Sequence, residues 1–160
     1  MKNNKWYVIS TFVLGCIVIN FAGRILSDRL QLPLWLDSFG TVTAAYVLGP
    51  FCGAMVGMTV NLTYGILYSW TNMFYAVVSA MVGITTGICV KKGFLKNLYG
   101  VLSTSFLIAV LSVTLSVPLN YLYCDGSTQN IWGDGVIESM EKVGFNSFLD
   151  RKSTRLNSSH

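Results

Sequence analysis

The chain has 160 residues, of which 52% are hydrophobic and 11% charged. Soluble domains carry about 25% charged residues, so composition argues against an ordinary soluble globule and for one membrane domain. The formal net charge is +4, but part of that excess lies within residues 150–160, and no nucleic-acid partner is implied.

Residues 150–160, DRKSTRLNSSH, look like the translation of a sequencing-library adapter and stay outside fold reasoning. Setting aside Asp150, Arg151, Lys152 and Arg155 leaves 8 basic and 6 acidic residues, a net charge of +2. The expected native part is a membrane domain over residues 1–149, truncated on its C-terminal side. The tail also holds the only histidine, His160, so residues 1–149 offer no imidazole for acid–base chemistry or metal ligation. Cys16, Cys52, Cys89 and Cys124 lie about 35 residues apart with no CxxC pair. Zinc and redox motifs are therefore not indicated, and three of the four read as small core residues. No cofactor and no metal are expected.

In chain order, a short basic start with Lys2 and Lys5 precedes an apolar run, read as a retained first helix over residues 6–26. The run continues past Asn20 without a small-residue cleavage site, which separates it from a signal peptide. A loop over 27–35 follows, with Asp28 and Arg29 close to balanced against Arg24. No charge then occurs from Ser38 to Val90, 53 residues, enough for three short spans of ~17–25 residues. Helix two is expected over 37–48, with Asp37 or Ser38 capping its first turn. Gly49 suits the position after a helix and Pro50 the first position of the next. Helix three is expected over 51–68, a polar turn over 69–72 and helix four over 73–90. Lys91, Lys92 and Lys96 mark a basic loop. Helix five is expected over 98–123, kinked at Pro118. A polar loop over 124–135 carries Trp132 and Asp134. Residues 136–149 read as an interfacial helix or the approach to a further span.

Two rows of small residues stand out. Gly49, Gly53 and Gly57 recur every fourth position, continued by Asn61 and Gly65; Ser79, Gly83 and Gly87 repeat the pattern in helix four. Residues four apart share one helix face, and small residues there let backbones approach in lipid, where burying apolar surface gains little. These rows are packing devices. They are not phosphate loops, because no GxxxxGK[ST] is present. Lysine placement gives an orientation. An even number of crossings separates Lys2 and Lys5 from Lys91, Lys92 and Lys96. Both clusters can then be cytoplasmic in a multi-pass cell-membrane protein whose N-terminus lies inside.

That topology gathers polar and aromatic residues at the outer ends: Asp37, Asn61, Tyr64, Tyr68, Asn72, Tyr75, Asn120 and Trp132. A pocket for a small ring-bearing molecule needs such stacking faces and a few placed hydrogen-bond groups. A cationic or hydrogen-bonding ring suits Asp37 beside tyrosines. Other readings stay open. The tyrosines suit an aromatic belt at headgroup level, Asn61 suits a helix–helix hydrogen bond, and Asp37 suits a helix cap. No nucleophile–base pair, carboxylate dyad or metal set is visible, so the chain is not expected to be an enzyme.

The run LPLWLDSFGTVTAAYVLGPFCGAMVGMTVNLTYG resembles the substrate-binding membrane subunits, or S components, of energy-coupling factor transporters. The resemblance rests on Leu36-Asp37, Gly40-Thr41, Leu48-Gly49-Pro50, Gly53, Gly57 and Asn61, on the basic loop at Lys91-Lys92-Gly93, and on Ser116-Val117-Pro118. It covers residues 20–120. It implies an all-α bundle of six transmembrane helices, of which five are present. It also implies capture of a vitamin-like micronutrient from outside, under a lid formed by the loop after helix one. The implied partners are the lipid bilayer, the small-molecule substrate, a transmembrane coupling subunit and two ATPases. Small residues on helix one often face that coupling subunit, and this chain offers Thr11 and Gly15. Similar helical modules also precede phosphatase or kinase domains in bacterial signalling proteins, and CDGSTQNIWGDGVIESMEKVGF resembles that group. The outer end would then sense rather than transport.

Overall fold

A computed structural model describes residues 3–30, 36–123 and 135. Five helices follow in order: α1 (Asn3–Leu30), α2 (Phe39–Leu48), α3 (Pro50–Leu67), α4 (Tyr75–Lys91) and α5 (Leu98–Tyr123). Short 3₁₀ turns at Leu36–Ser38, Trp70–Met73 and Phe94–Lys96 join them. Among the described residues there is no strand, and the fold is an all-α bundle. Trp132, Asp134, residues 136–149 and the 150–160 tail lie outside the described residues.

Among the described residues, four helical stretches are long and apolar enough to cross a membrane: α1, α3, α4 with the turn before it, and α5. The fifth helix, α2, has 10 residues. At 1.5 Å per residue it rises about 15 Å, roughly half of a ~30 Å hydrocarbon core. The five expected helices are all present among the described residues, four of crossing length and α2 about half as long. The boundaries also move. α1 runs on to Leu30, so Asp28 and Arg29 extend it rather than opening a loop. α4 begins at Tyr75 because the Trp70–Met73 turn intervenes. α5 continues through Pro118 to Tyr123.

The α2–α3 corner is set by two residues. Gly49 adopts φ +97°, a conformation that side chains beyond hydrogen disfavour, and its N–H closes α2 on the carbonyl of Ala45. Pro50 starts α3 at a position whose N–H has no helical partner to lose. Gly49 alone lies between the two helices, so they fold back on each other directly.

Neighbouring helices run antiparallel. Gly23 of α1 faces Leu36, and Gly40 of α2 faces Cys16 and Asn20. Gly53 of α3 faces Ala45 of α2. The two small-residue rows meet each other: Gly57 lies against Ser79, Gly83 against Gly53 and Ala54, and Gly87 against Pro50. Gly65 closes the series against Met73. A Cβ on Gly57 would fall 2.9 Å from both the Cβ and the carbonyl oxygen of Ser79; one on Gly83 would strike the backbone at Gly53 and Ala54. Gly49 is different: an added Cβ would meet only the Lys91 side chain at 3.9 Å, so backbone conformation, not packing, requires glycine there.

These contacts make α3 and α4 the centre. Their most apolar windows are 44% buried, against 11% for α1 and α5. The buried apolar cluster is small, Cys16, Ala44 and Val56, with Phe12, Val13 and Ile17 packed against it. α1 and α5 present Leu14, Val18, Ile25, Leu102, Phe106 and Val113 outward, the surface a lipid-facing helix needs.

The close approach of α3 and α4 predicts a contrast between two glycine substitutions. Gly83→Ala should lower stability by about 1–3 kcal/mol, the usual range for overpacking, because the obstruction is backbone. Gly15→Ala should be neutral or slightly stabilising, since nothing lies within 4 Å of the added methyl and alanine favours a helix interior over glycine. Thermal unfolding in detergent measures both, and equal midpoints would contradict the packing described.

Candidate functional site

The alternating helix directions sort the chain's polar groups to two ends. At one end stand the α2–α3 corner, with Gly49 beside Lys91, and the lysines of the α4–α5 connection. The other end collects the last turns of α1, the Leu36–Ser38 turn, the end of α3, the Trp70–Met73 turn, the start of α4 and the end of α5. Residues from three separate stretches of the sequence thus share one end of the bundle.

Arg24 of α1 is the hub of that end. Its Nη1 lies 3.2 Å from Oδ2 of Asp37 in a salt bridge whose side chains are 16% and 7% exposed. Its Nη2 donates to Oδ1 of Asn72 at 2.7 Å. Its guanidinium stacks 4.6 Å above the ring centroid of Tyr64, an attraction of cation to ring face. The Tyr64 hydroxyl donates in turn to Oδ2 of Asp28 at 3.3 Å. One arginine therefore ties α1 to a 3₁₀ turn on each side of it and to α3. Asp37, Tyr64 and Asn72, three of the residues expected to meet a ligand, are gathered by it and buried.

Tyr68 extends the group outward. Its ring stacks on Tyr64 with centroids 4.6 Å apart, and Tyr64 also meets Phe21 at 5.7 Å. Tyr68 and Trp70 are largely exposed, at 68% and 69%, so an aromatic column runs from the buried hub to the open end. A second group sits on α4 and α5. The Tyr75 hydroxyl donates to the amide oxygen of Asn120. Phe74 stacks on Tyr123 at 4.0 Å, and Trp70 meets Phe74 edge-on. The Trp70–Met73 turn belongs to both groups, through Asn72 on one side and Trp70 on the other. Trp132 lies outside the described residues.

Asn61 stands apart from this end group. Its amide nitrogen donates to Oγ of Ser79 at 2.7 Å and to the carbonyl of Gly57 at 3.1 Å. It is 3% exposed and joins α3 to α4 at the level of the glycine rows. Asp37 is not the cap of α2 either. The N-cap is Ser38, whose side chain makes no capping bond. The cap comes from another helix: Oδ1 of Asn20 accepts from the Gly40 N–H at 2.6 Å, and its amide nitrogen donates to Thr41 Oγ1 at 2.9 Å. Asn20 is fully buried. It meets one of the donors that every helix start leaves open, and so fixes α2 against α1 just below Asp37.

Arg24 and Asn20 had no place among the expected site residues. A signal for Arg24 was present, because an ionisable side chain inside a predicted span marks a functional position by default. Its nearness to the assumed helix end at residue 26 hid it among the loop charges. Asn20 carried the same signal as Asn61, an amide within an apolar run. Among the described residues no group of histidine, cysteine or acidic side chains is placed to hold a metal ion. Comparison with family models, curated proteins and solved structures gives no match for this chain.

The hub predicts strong coupling between its two charges. Arg24→Gln or Asp37→Asn alone leaves one charge nearly buried without its partner. Each should cost about 2 kcal/mol, between exposed and fully buried pairs. The double variant should cost clearly less than the two together, as measured by thermal unfolding. Additive losses would mean that the pair is not coupled.

Proposed function

We propose that the chain is a receptor for a small, polar, ring-bearing micronutrient at the membrane, of the kind an S-component subunit hands to a coupling subunit and its ATPases for uptake. One observation carries this reading. Polar and aromatic residues from four segments, α1, the Leu36–Ser38 turn, the end of α3 and the Trp70–Met73 turn, converge at the end of the bundle opposite the lysines, as Arg24, Asp37, Tyr64, Tyr68 and Asn72. A structural pair of helices needs one or two buried polar contacts, not a hub joined to an exposed aromatic column. Convergent polar groups beside aromatic walls are what small-molecule sites require. The lysines at the far end support an orientation with that end in the cytoplasm and the aromatic end outside.

In this reading the described chain supplies binding, and partner proteins supply the energy. The resemblance in the Leu36-to-Asn61 run favours transport over sensing. A sensor module would use the same end for the same chemistry, and the coding sequence after residue 149 separates the two: one further span and a stop for a transporter subunit, an open frame into a catalytic domain for a sensor.

A ligand-stabilisation screen of the restored full-length protein, without the 150–160 tail, in lipid nanodiscs tests the proposal. A bound micronutrient should raise the unfolding temperature with concentration, by mass action. Tyr68→Ala should weaken that shift about tenfold, since it removes a stacking face without opening the core. Tyr99→Ala should leave it unchanged, because Tyr99 is exposed in the first turn of α5, at the lysine end. A shift lost in Tyr99→Ala and kept in Tyr68→Ala would place the site at the wrong end.

A further inference from the structure

We infer that Arg24, and not Asp37, decides the charge class of the molecule accepted at this end: a ring edged with acceptor oxygens, carbonyl or carboxylate, and not a cationic ring. The inference rests on the ligand-receptor reading above and narrows it.

Asp37 by itself would favour a cation. Its carboxylate is already committed. Oδ2 faces the Arg24 guanidinium at 3.2 Å, and Oδ1 accepts from the Ser38 hydroxyl at 3.5 Å. The side chain is 7% exposed. A cationic ligand would have to expel a guanidinium that is also held by Asn72 and by the face of Tyr64. The other charges nearby do not change this. Asp28 accepts from the Tyr64 hydroxyl, and both Asp28 and Arg29 are exposed in the last turns of α1. The two arginines and two aspartates balance, so no net negative field draws a cation in.

Donor capacity points the other way. A guanidinium carries five N–H donors in a planar fork. Among the described residues, Asp37 takes one and Asn72 another. The remaining donors suit planar acceptors such as carboxylates, imides and amides, which a fork engages in pairs. Tyr64 is buried under Arg24 and Tyr68, so the ring face open to such a molecule is that of the exposed Tyr68. The charge of Arg24 is offset by Asp37, so acceptance does not depend on a full anion. A neutral carbonyl edge is enough.

The test sorts probes by charge. Unfolding temperature is measured in nanodiscs with nicotinate and biotin as carboxylates, nicotinamide and riboflavin as neutral acceptor-edged rings, and thiamine and 1-methylnicotinamide as cations. Shifts are expected only from the first two classes. Arg24→Gln should weaken the binding of any shifting probe at least about tenfold, the scale of one charge-assisted hydrogen bond. It should also raise the response to the two cations, because Asp37 is then unpaired. A purely structural role for Arg24 would not reverse the preference. Arg24→Lys keeps the charge but not the fork; it should weaken acceptor-edged binding while retaining the fold, and it serves if the glutamine variant does not fold. A thiamine or 1-methylnicotinamide shift in the unaltered chain overturns the inference. So does acceptor-edged binding that is indifferent to both substitutions, although the receptor reading then stands. A screen with no shift from any probe removes the receptor reading and this inference with it.

Discussion

A polar group inside an apolar bundle must find a partner, and that requirement shapes this protein more than its small hydrophobic cluster does. Apolar side chains gain little from leaving lipid for protein. The specific links between helices are therefore of two kinds: close backbone approach at glycine, and hydrogen bonds between side chains that would otherwise be unpaired. The glycine rows of α3 and α4 supply the first. Asn20, Arg24 and Asn61 supply the second, each from one helix to at least one other segment. Asn20 holds α2 to α1, Asn61 holds α4 to α3, and Arg24 holds the end of α1 to the Leu36–Ser38 and Trp70–Met73 turns and to α3.

The sequence made much of the fold readable, for physical reasons that stay local. A 53-residue stretch without charge has few solutions other than apolar helices. Gly49-Pro50 sets a corner through backbone conformation, and a four-residue spacing of small side chains marks a packing face. Tertiary partners left no such local trace. The start of α2 is capped by Asn20, a residue 20 positions upstream of the N–H it accepts from, and no pattern within α2 itself announces that. Asp37 read as a cap or a ligand group because its partner, Arg24, lay 13 residues away across a segment assumed to be loop.

The same difference explains the site. Composition and depth pointed to Asp37, Tyr64, Tyr68, Asn72, Tyr75 and Asn120 as polar or aromatic residues near one end. Depth does not say which of them touch. In three dimensions they divide into a hub on Arg24 and a pair on α4 and α5, with Asn61 apart as a helix-to-helix bond. The organising residue was the one whose charge seemed balanced and whose position seemed marginal. Intramembrane arginines are costly to place, and here one guanidinium meets a carboxylate, an amide and an aromatic ring at once.

The proposed orientation sets two chemically distinct ends on opposite sides of a membrane, the aromatic end outside and the lysine end inside. Cysteine accessibility in intact cells measures this directly. In a background with Cys16, Cys52, Cys89 and Cys124 replaced, single variants Trp70→Cys and Lys92→Cys report the two ends, both at exposed positions. The account predicts that a membrane-impermeant maleimide labels the residue-70 variant in intact cells and the residue-92 variant only after permeabilisation. Labelling of both from the same side, or of the residue-92 variant alone from outside, would contradict it.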